Sequence, residues 1–501
     1  MTYLSKNLPG IIIFIAGFTT MVFEIAGARV LGPYFGTSVF VWTSLIGIVM
    51  GSLSLGYWLG GLLSIKRCNF SILILVLVIS AFFVLMTAVA NIYVLDRVVK
   101  YIPGIRLQTI VSAIVLFGPA SVGFGMVLPY GVKLRVQSVK SSGGTVGNLY
   151  ALSTAGSILG TFAAGFLLVP AFGFTNVLYA LPFLLILLAL AIMFVRLSLF
   201  PVILTAAVSF LAIFLWFRAL NKTIDYVDVD TRYNRVIIYD TKDAETGRPI
   251  KMLRINDENS SAMFLDTDDD LVFKVLKYYR LIEHFVPGFR SAMMIGGSGY
   301  AFPKDYLRRY PNATLDVVEI DPGLTQLARE HFNLVPDPDL AIIHEDGRTY
   351  LNRNTKVYDA VLMDAYKSQI TIPYQLTTRE AVLKIHDALS PGGVVLANVI
   401  STLDPSSNKF LRAELATYRS VFPSVMLFAV QYPDPTEEEK KYFQNFMLVG
   451  LKSGANIPLT SADPELNAYL ECYIDVKTDD RTLVLTDEYA PVEFFANKAL
   501  K

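Results

Sequence analysis

Gly296, Gly297 and Gly299 follow directly on the apolar run SAMMI, and Glu319 closes the run LDVVE 20 residues beyond Gly299. Closely spaced glycines let the backbone turn tightly and approach a ligand, and an acid at that distance can accept both hydroxyls of a ribose. Two more carboxylates end later apolar runs: Asp346, followed by Gly347, in LAIIHEDG, and Asp364 in YDAVLMDAY. Asp346 suits a hydrogen bond from an adenine amino group, or else the N-cap of the helix that follows. Asp364 ends its run facing the same crevice. The loop IGGSGYAF lacks the third glycine of a dinucleotide site and has no cation in the turn for a phosphate. Together these residues fit a nucleoside without phosphates.

Such residues work only if their elements bring them to one edge. The runs SAMMIGG, TLDVVEI, LAIIHEDG, YDAVLMDAY and GGVVLANVI alternate with helical stretches, among them GLTQLAREHF and TTREAVLKIHDAL. That alternation predicts an α/β Rossmann-like domain with a parallel sheet and crossover helices. Its ligands bind beyond the carboxyl ends of the strands. Upstream, RYNRVIIYDTKDAETGRPIKMLRIN predicts two strands joined by a turn around Gly247, and DDDLVFKVLKYYRLIEHF predicts a helix with acids in its first turn.

The first half has another texture. Between Leu8 and Ser64 the only charged residues are Glu24 and Arg29. Seven apolar stretches, near 9–31, 38–64, 70–95, 108–131, 145–171, 176–195 and 198–217, are long enough to span a bilayer as helices, which takes about 20 residues. The pairs Gly47/Gly51, Gly56/Gly60 and Gly156/Gly160 each put two glycines on one helix face for close packing. Glu24 and Arg29 suit either a pathway inside the bundle or an ion pair and a snorkelling side chain. The expected divisions are a transmembrane bundle over 1–220, a small β-subdomain with its lead-in helix over 221–288, and the nucleoside-binding domain over 289–501.

Lys6, Lys66, Arg67, Lys133, Arg135, Lys140 and Arg196 fall on one side of these spans, and Arg97, Lys100 and Arg106 on the other. Positive residues favour a cytoplasmic N-terminus. Seven crossings would then place the second half outside, whereas nucleoside chemistry favours the cytoplasm, and the latter is the expectation adopted. Lysine and arginine balance aspartate and glutamate at 43 each, so there is no nucleic-acid footprint. Cys68 and Cys472, one in each half, offer neither a disulfide framework nor a zinc cluster, and no metal site is expected.

The marks RYN, IGGSGY, DVVEIDP, EDG, YDAVLMDAY, LSPGGVVLANV and TDEYAPVEFF resemble the spermidine synthase (polyamine aminopropyltransferase) family, in its members fused to a multi-span membrane domain. The strand-end set is shared with S-adenosylmethionine-dependent methyltransferases of class I; RYN and TDEYAPVE are more particular. The resemblance implies transfer of the aminopropyl group of decarboxylated S-adenosylmethionine, a co-substrate rather than a permanent cofactor, to an amine such as putrescine. It implies that Glu319 holds the ribose, Asp346 the adenine, and Asn234 the place of a glutamine that touches the nucleoside. Asp364 matches the first aspartate of the fourth-strand motif and is the candidate base. Gly299 replaces an aspartate for the aminopropyl amine, and Lys367 replaces the second aspartate of the fourth-strand motif. A lysine near an incoming polyammonium repels it by roughly 1–4 kcal/mol at 4 Å. Tyr233, Tyr278, Tyr366 and Asp487 are candidates for the remaining cavity wall. Family members are commonly oligomers, so a homo-oligomer in the bilayer is an open expectation. Two other readings stay open: a methyltransferase-like enzyme using the same pocket, and a transporter or sensor that binds an adenosyl metabolite without catalysis.

Overall fold

The computed structural model describes residues 2–36, 39–66, 68–136, 142–196, 214, 226–256, 258–267, 270–365 and 372–499. The chain divides into two compact units, Met1–Asp225 and Tyr226–Lys501.

In the first unit six helices are long and apolar enough to cross a membrane: Asn7–Phe35, Val39–Lys66, Phe70–Tyr101, Ile105–Arg135, Ser142–Phe172 and Phe174–Met193. The expected seventh stretch, 198–217, lies outside the described residues apart from Phe214. Two of the three glycine pairs bring helices together. A Cβ on Gly56 would run into the Val122 carbonyl, and Cβ atoms on Gly156 and Gly160 would strike the carbonyls of Phe14 and Phe18. Without a hydrophobic drive between helices in lipid, such backbone approach supplies the packing contacts. Gly47 and Gly51 differ: nothing lies within 4 Å of a Cβ at either. Glu24 and Arg29 are both half-buried on the first helix.

The second unit opens with an antiparallel sheet in the order β1 (Tyr226–Asp230), β2 (Arg235–Lys242), β3 (Pro249–Ile255), β4 (Glu258–Phe264). The sequence reading found only β2 and β3: β4 (ENSSAMF) lacks a clean apolar alternation, and β1 (YVDVD) alternates over only five residues. The expected lead-in helix is broken into α-helical Lys274–Lys277, a 3₁₀ turn at Tyr278–Leu281 and α-helical Ile282–Phe285. The turn aims consecutive side chains at different targets: Tyr279 Oη donates to the Met363 carbonyl at 2.8 Å, while Arg280 pairs with Asp305 at 2.9 Å and also with Glu465.

The main sheet has seven strands: β5 (Ser291–Ile295), β6 (Thr314–Val318), β7 (Leu340–Ile343), β8 (Tyr358–Met363), β9 (Leu389–Ser401), β10 (Ser424–Ala429) and β11 (Gln444–Leu451), in the order β10-β11-β9-β8-β5-β6-β7. β5 to β9 are parallel, as the alternation predicts, and β10 and β11 add an antiparallel edge that the sequence reading did not contain. Strand order runs outward from β5 in both directions, so the chain reverses between β5 and β8 and opens a crevice at their carboxyl ends. One face buries Ala292, Met294, Val317, Leu362 and Leu396. The other buries Met293, Ile295, Val361, Met363 and Val395. Both faces are covered, which is why these strands read as continuous apolar runs.

Candidate active site

The carboxyl ends of β8, β5, β6 and β7 carry, in that spatial order, Asp364, the glycine turn, Glu319 and Asp346. Backbone ladders fix the row: Asp364 N donates to Ile295 O, Gly296 N to Val318 O and Glu319 N to Ile343 O, each at 2.9 Å. Gly296 has φ +98°, and a Cβ there would collide with the Asp364 carbonyl, so glycine is required where the turn passes the neighbouring strand end. Ser298 and Tyr300 also have positive φ. Tyr300 N donates to the Gly297 carbonyl at 2.8 Å, and Ser298 is held by Glu319, whose Oε2 accepts from Gly297 N at 2.8 Å and Ser298 N at 3.1 Å, while Oε1 accepts from Asp321 N at 2.9 Å. Burial pushes the Glu319 carboxyl up, and these three N–H donors partly offset it. Among the described residues Ser298 Oγ, buried in this loop, has no hydrogen-bond partner.

Gly299 sits under β4. A Cβ at this position would lie 2.6 Å from Ser261 Oγ and 2.7 Å from its Cβ. Ser261 is itself buried. The space into which a longer residue at 299 would begin to extend is thus already occupied.

Asp346 is the N-cap of the helix Gly347–Arg353: its Oδ1 accepts from Thr349 N at 3.0 Å. Among the described residues Oδ2 has no such partner, so capping leaves one oxygen for a ligand. Gly347 is buried, 2.6 Å from Ile295 Cγ2 if given a Cβ.

Asn234 reaches the site from the β1–β2 turn. Its Nδ2 donates to Asp321 Oδ2 at 3.0 Å, and its Oδ1 accepts from Asn256 at 3.1 Å. Asp321, fully buried, caps the helix Pro322–His331. The RYN segment is therefore docked onto the helix that follows Glu319. Tyr233, on the same turn, is half-buried.

Asp364 is half-buried and accepts a hydrogen bond from Asn398 Nδ2 at 2.9 Å. Withdrawal from water pushes its carboxyl up to about 6, with the Asn398 bond pulling the other way. Tyr366 and Lys367 lie outside the described residues. Tyr278 is not brought to the row: it is 1% exposed, packed in the core with its ring 4.6 Å from that of Tyr469. Asp487 is a tie rather than a wall, accepting from Arg348 Nη2 and Thr378 Oγ1 at 2.6 Å each. Asn398, Ser261 and Asp321 were not singled out in the sequence. Asn398 had a signal: a polar residue interrupting the otherwise apolar strand VVLANV.

A row of a glycine turn and carboxylates at parallel strand ends is the arrangement of a Rossmann-like fold. A spermine/spermidine synthase domain matches residues 277–453. The polyamine aminopropyltransferase of Vibrio vulnificus is 30% identical over 220 residues, covering 41% of this chain and 70% of that protein. Polyamine aminopropyltransferase 2 of Pseudomonas aeruginosa is 30% identical over 209 residues, covering 40% of this chain and 57% of that protein. A crystal structure of a probable spermidine synthase from Corynebacterium glutamicum is similar with TM-score 0.41 and 24% identity, over 49% of this chain and 86% of that one. The chain belongs to the spermine/spermidine synthase family. Its spermidine synthase homologues are aminopropyltransferases, and it is a transferase by that membership.

Proposed function

We propose that this chain is a membrane-anchored aminopropyltransferase that moves the aminopropyl group of decarboxylated S-adenosylmethionine onto a small amine such as putrescine, releasing methylthioadenosine. The observation that carries this reading is the strand-end row in which Glu319 organises the glycine turn and Asp364 stands one strand away, with a carboxyl held near 6. Glu319 and the glycine turn hold the ribose side, and Asp346 Oδ2 takes the adenine amino group. The amine nitrogen attacks the methylene carbon bound to the sulfonium; the C–N bond forms, the C–S bond breaks, and its electron pair stays on sulfur. Asp364 takes the proton that the amine must lose. A carboxylate near 6 is ionised at neutral pH and basic enough to share that proton, a contribution of about 10²–10⁴ in rate. The membrane half anchors the enzyme, and the adenosyl donor places the second half in the cytoplasm.

Gly299 over Ser261 favours a second reading, in which the donor keeps its carboxyl group and a methyl group is transferred, because no carboxylate stands at 299 to repel the donor's own. The purified full-length protein, given decarboxylated or carboxylated S-adenosylmethionine with putrescine, separates the two. Methylthioadenosine release from the decarboxylated donor is expected. S-adenosylhomocysteine release instead would establish the second reading and overturn the first.

A further inference from the structure

Asp364 is the end of a chain of side-chain amides that begins across the sheet. Asn445, at the start of β11, donates its backbone N–H to Gln431 Oε1 at 2.8 Å. A backbone N–H cannot be turned round, so this bond fixes which end of the Gln431 amide faces Asn445. Gln431 Nε2 then donates to Asn445 Oδ1 at 2.9 Å. With its oxygen taken, Asn445 directs Nδ2 to Asn398 Oδ1, again at 2.9 Å. Asn398 is left with its amino group to give, and gives it to Asp364 Oδ1 at 2.9 Å.

Strand alternation puts these residues together. β9 and β11 pair with Met447 opposite Asn398, so Asn445 lies diagonally across from Asn398 on the face that also carries Leu396 and Met447. Asn398 is 6% exposed, so an amide there that lost its partners would be costly. Among the described residues, the tyrosines and the acid near Asp364 are engaged elsewhere. From the lead-in segment Tyr279 bonds the Met363 carbonyl and Tyr278 lies 3.4 Å from the Ala429 carbonyl; Glu319 is engaged on the far side of the glycine turn. Among the described residues Asn398 is the side chain that hydrogen-bonds Asp364.

We infer that Asn445, acting through Asn398, is a positioning residue for Asp364: the one-way amide chain holds Oδ1 as an acceptor and leaves Oδ2 to take the proton of the incoming amine. The inference rests on the proposed transfer reaction for its kinetic readout. A donated hydrogen bond stabilises the carboxylate, so breaking the chain raises the pH at which Asp364 ionises.

Full-length Asn445→Leu and Asn398→Leu are compared with wild type in kcat–pH profiles. In both, kcat falls about tenfold, a loss of the size of one hydrogen bond to a charged group, and the acid limb moves up by roughly one pH unit, more for Asn398→Leu. KM for the adenosyl donor is unchanged. An acid limb that stays in place in Asn445→Leu while it moves in Asn398→Leu overturns the relay, as does lower thermal stability with no shift in either. Gln431 is exposed, so Gln431→Leu covers the case of a buried variant that does not fold, with a smaller shift in the same direction expected and no shift counting against the relay. If wild type releases no methylthioadenosine, the function reading has failed on its own. The relay is then tested by the titration of the ¹³C-labelled Asp364 carboxyl in the full-length protein, assigned with Asp364→Asn, and an Asn445→Leu titration identical to wild type overturns it.

Discussion

Glu319 accepts three backbone N–H groups with its two oxygens, those of Gly297 and Ser298 on Oε2 and that of Asp321 on Oε1, and a glutamine there turns an NH₂ donor on one side of that set. Glu319→Gln is expected to leave one buried N–H unpaired, to cost about 1–3 kcal/mol, and to weaken an adenosyl ligand at least tenfold by calorimetry. Unchanged affinity would remove the ribose role from Glu319. Asp364→Asn keeps the Asn398 contact in shape but cannot take a proton. Methylthioadenosine release should fall by about 10²–10⁴ while methylthioadenosine binding is kept. The sign of the pH dependence follows from the raised carboxyl: activity is present above about 6 and is lost as pH falls through that value, when Asp364 becomes protonated. A kcat profile flat down to pH 5 would count against Asp364 as the base.

At the scale of elements, β4 and the glycine turn are interlocked through Ser261 and Gly299. Gly299→Asp, which restores the family's carboxylate, is therefore expected to destabilise by about 1–3 kcal/mol through overpacking. Added to Ser261→Gly it should cost much less than in the wild-type background, a coupling that a double-mutant cycle measures directly. Additive effects would mean that the two positions do not compete for the same space. The C-terminal TDEYAPVE segment is held by Asp487 to Arg348 and Thr378. Partial burial pushes the Asp487 carboxyl up, but the Thr378 and Arg348 bonds outweigh it and hold it below its ordinary value. Its stabilising contribution is thus full at neutral pH and disappears only as pH falls through that lowered value. The pair is part-exposed, so Arg348→Gln should change stability by less than about 1 kcal/mol yet open the segment to limited proteolysis.

For the whole molecule, the helical first unit holds together where backbone meets backbone. Gly156→Leu is expected to force the fifth helix off the first and to lower the midpoint of thermal unfolding in detergent sharply, since the Phe14 carbonyl stands where the new side chain would begin. Gly51→Leu, with open space around it, should be tolerated in the same assay. Equal effects at the two positions would mean that the first and fifth helices are not in this contact.

The sequence by itself determined what is periodic or local. Apolar length specified helices long enough to cross a membrane, strand–helix alternation specified the parallel sheet, and glycines and acids at strand ends specified the row that the ladders of β5, β6 and β8 assemble. These signals survive in a linear string because each depends on near neighbours. Tertiary structure alone decided what depends on residues far apart in the chain. That Gly299 abuts Ser261, that Tyr278 is core while Tyr279 props β8, and that Asp487 is a clamp all follow from contacts between residues far apart in the chain. The amide chain to Asp364 is the sharpest case. Its direction is set by one backbone N–H on the antiparallel strand β11, and nothing in the order of residues says which end of an asparagine faces its neighbour.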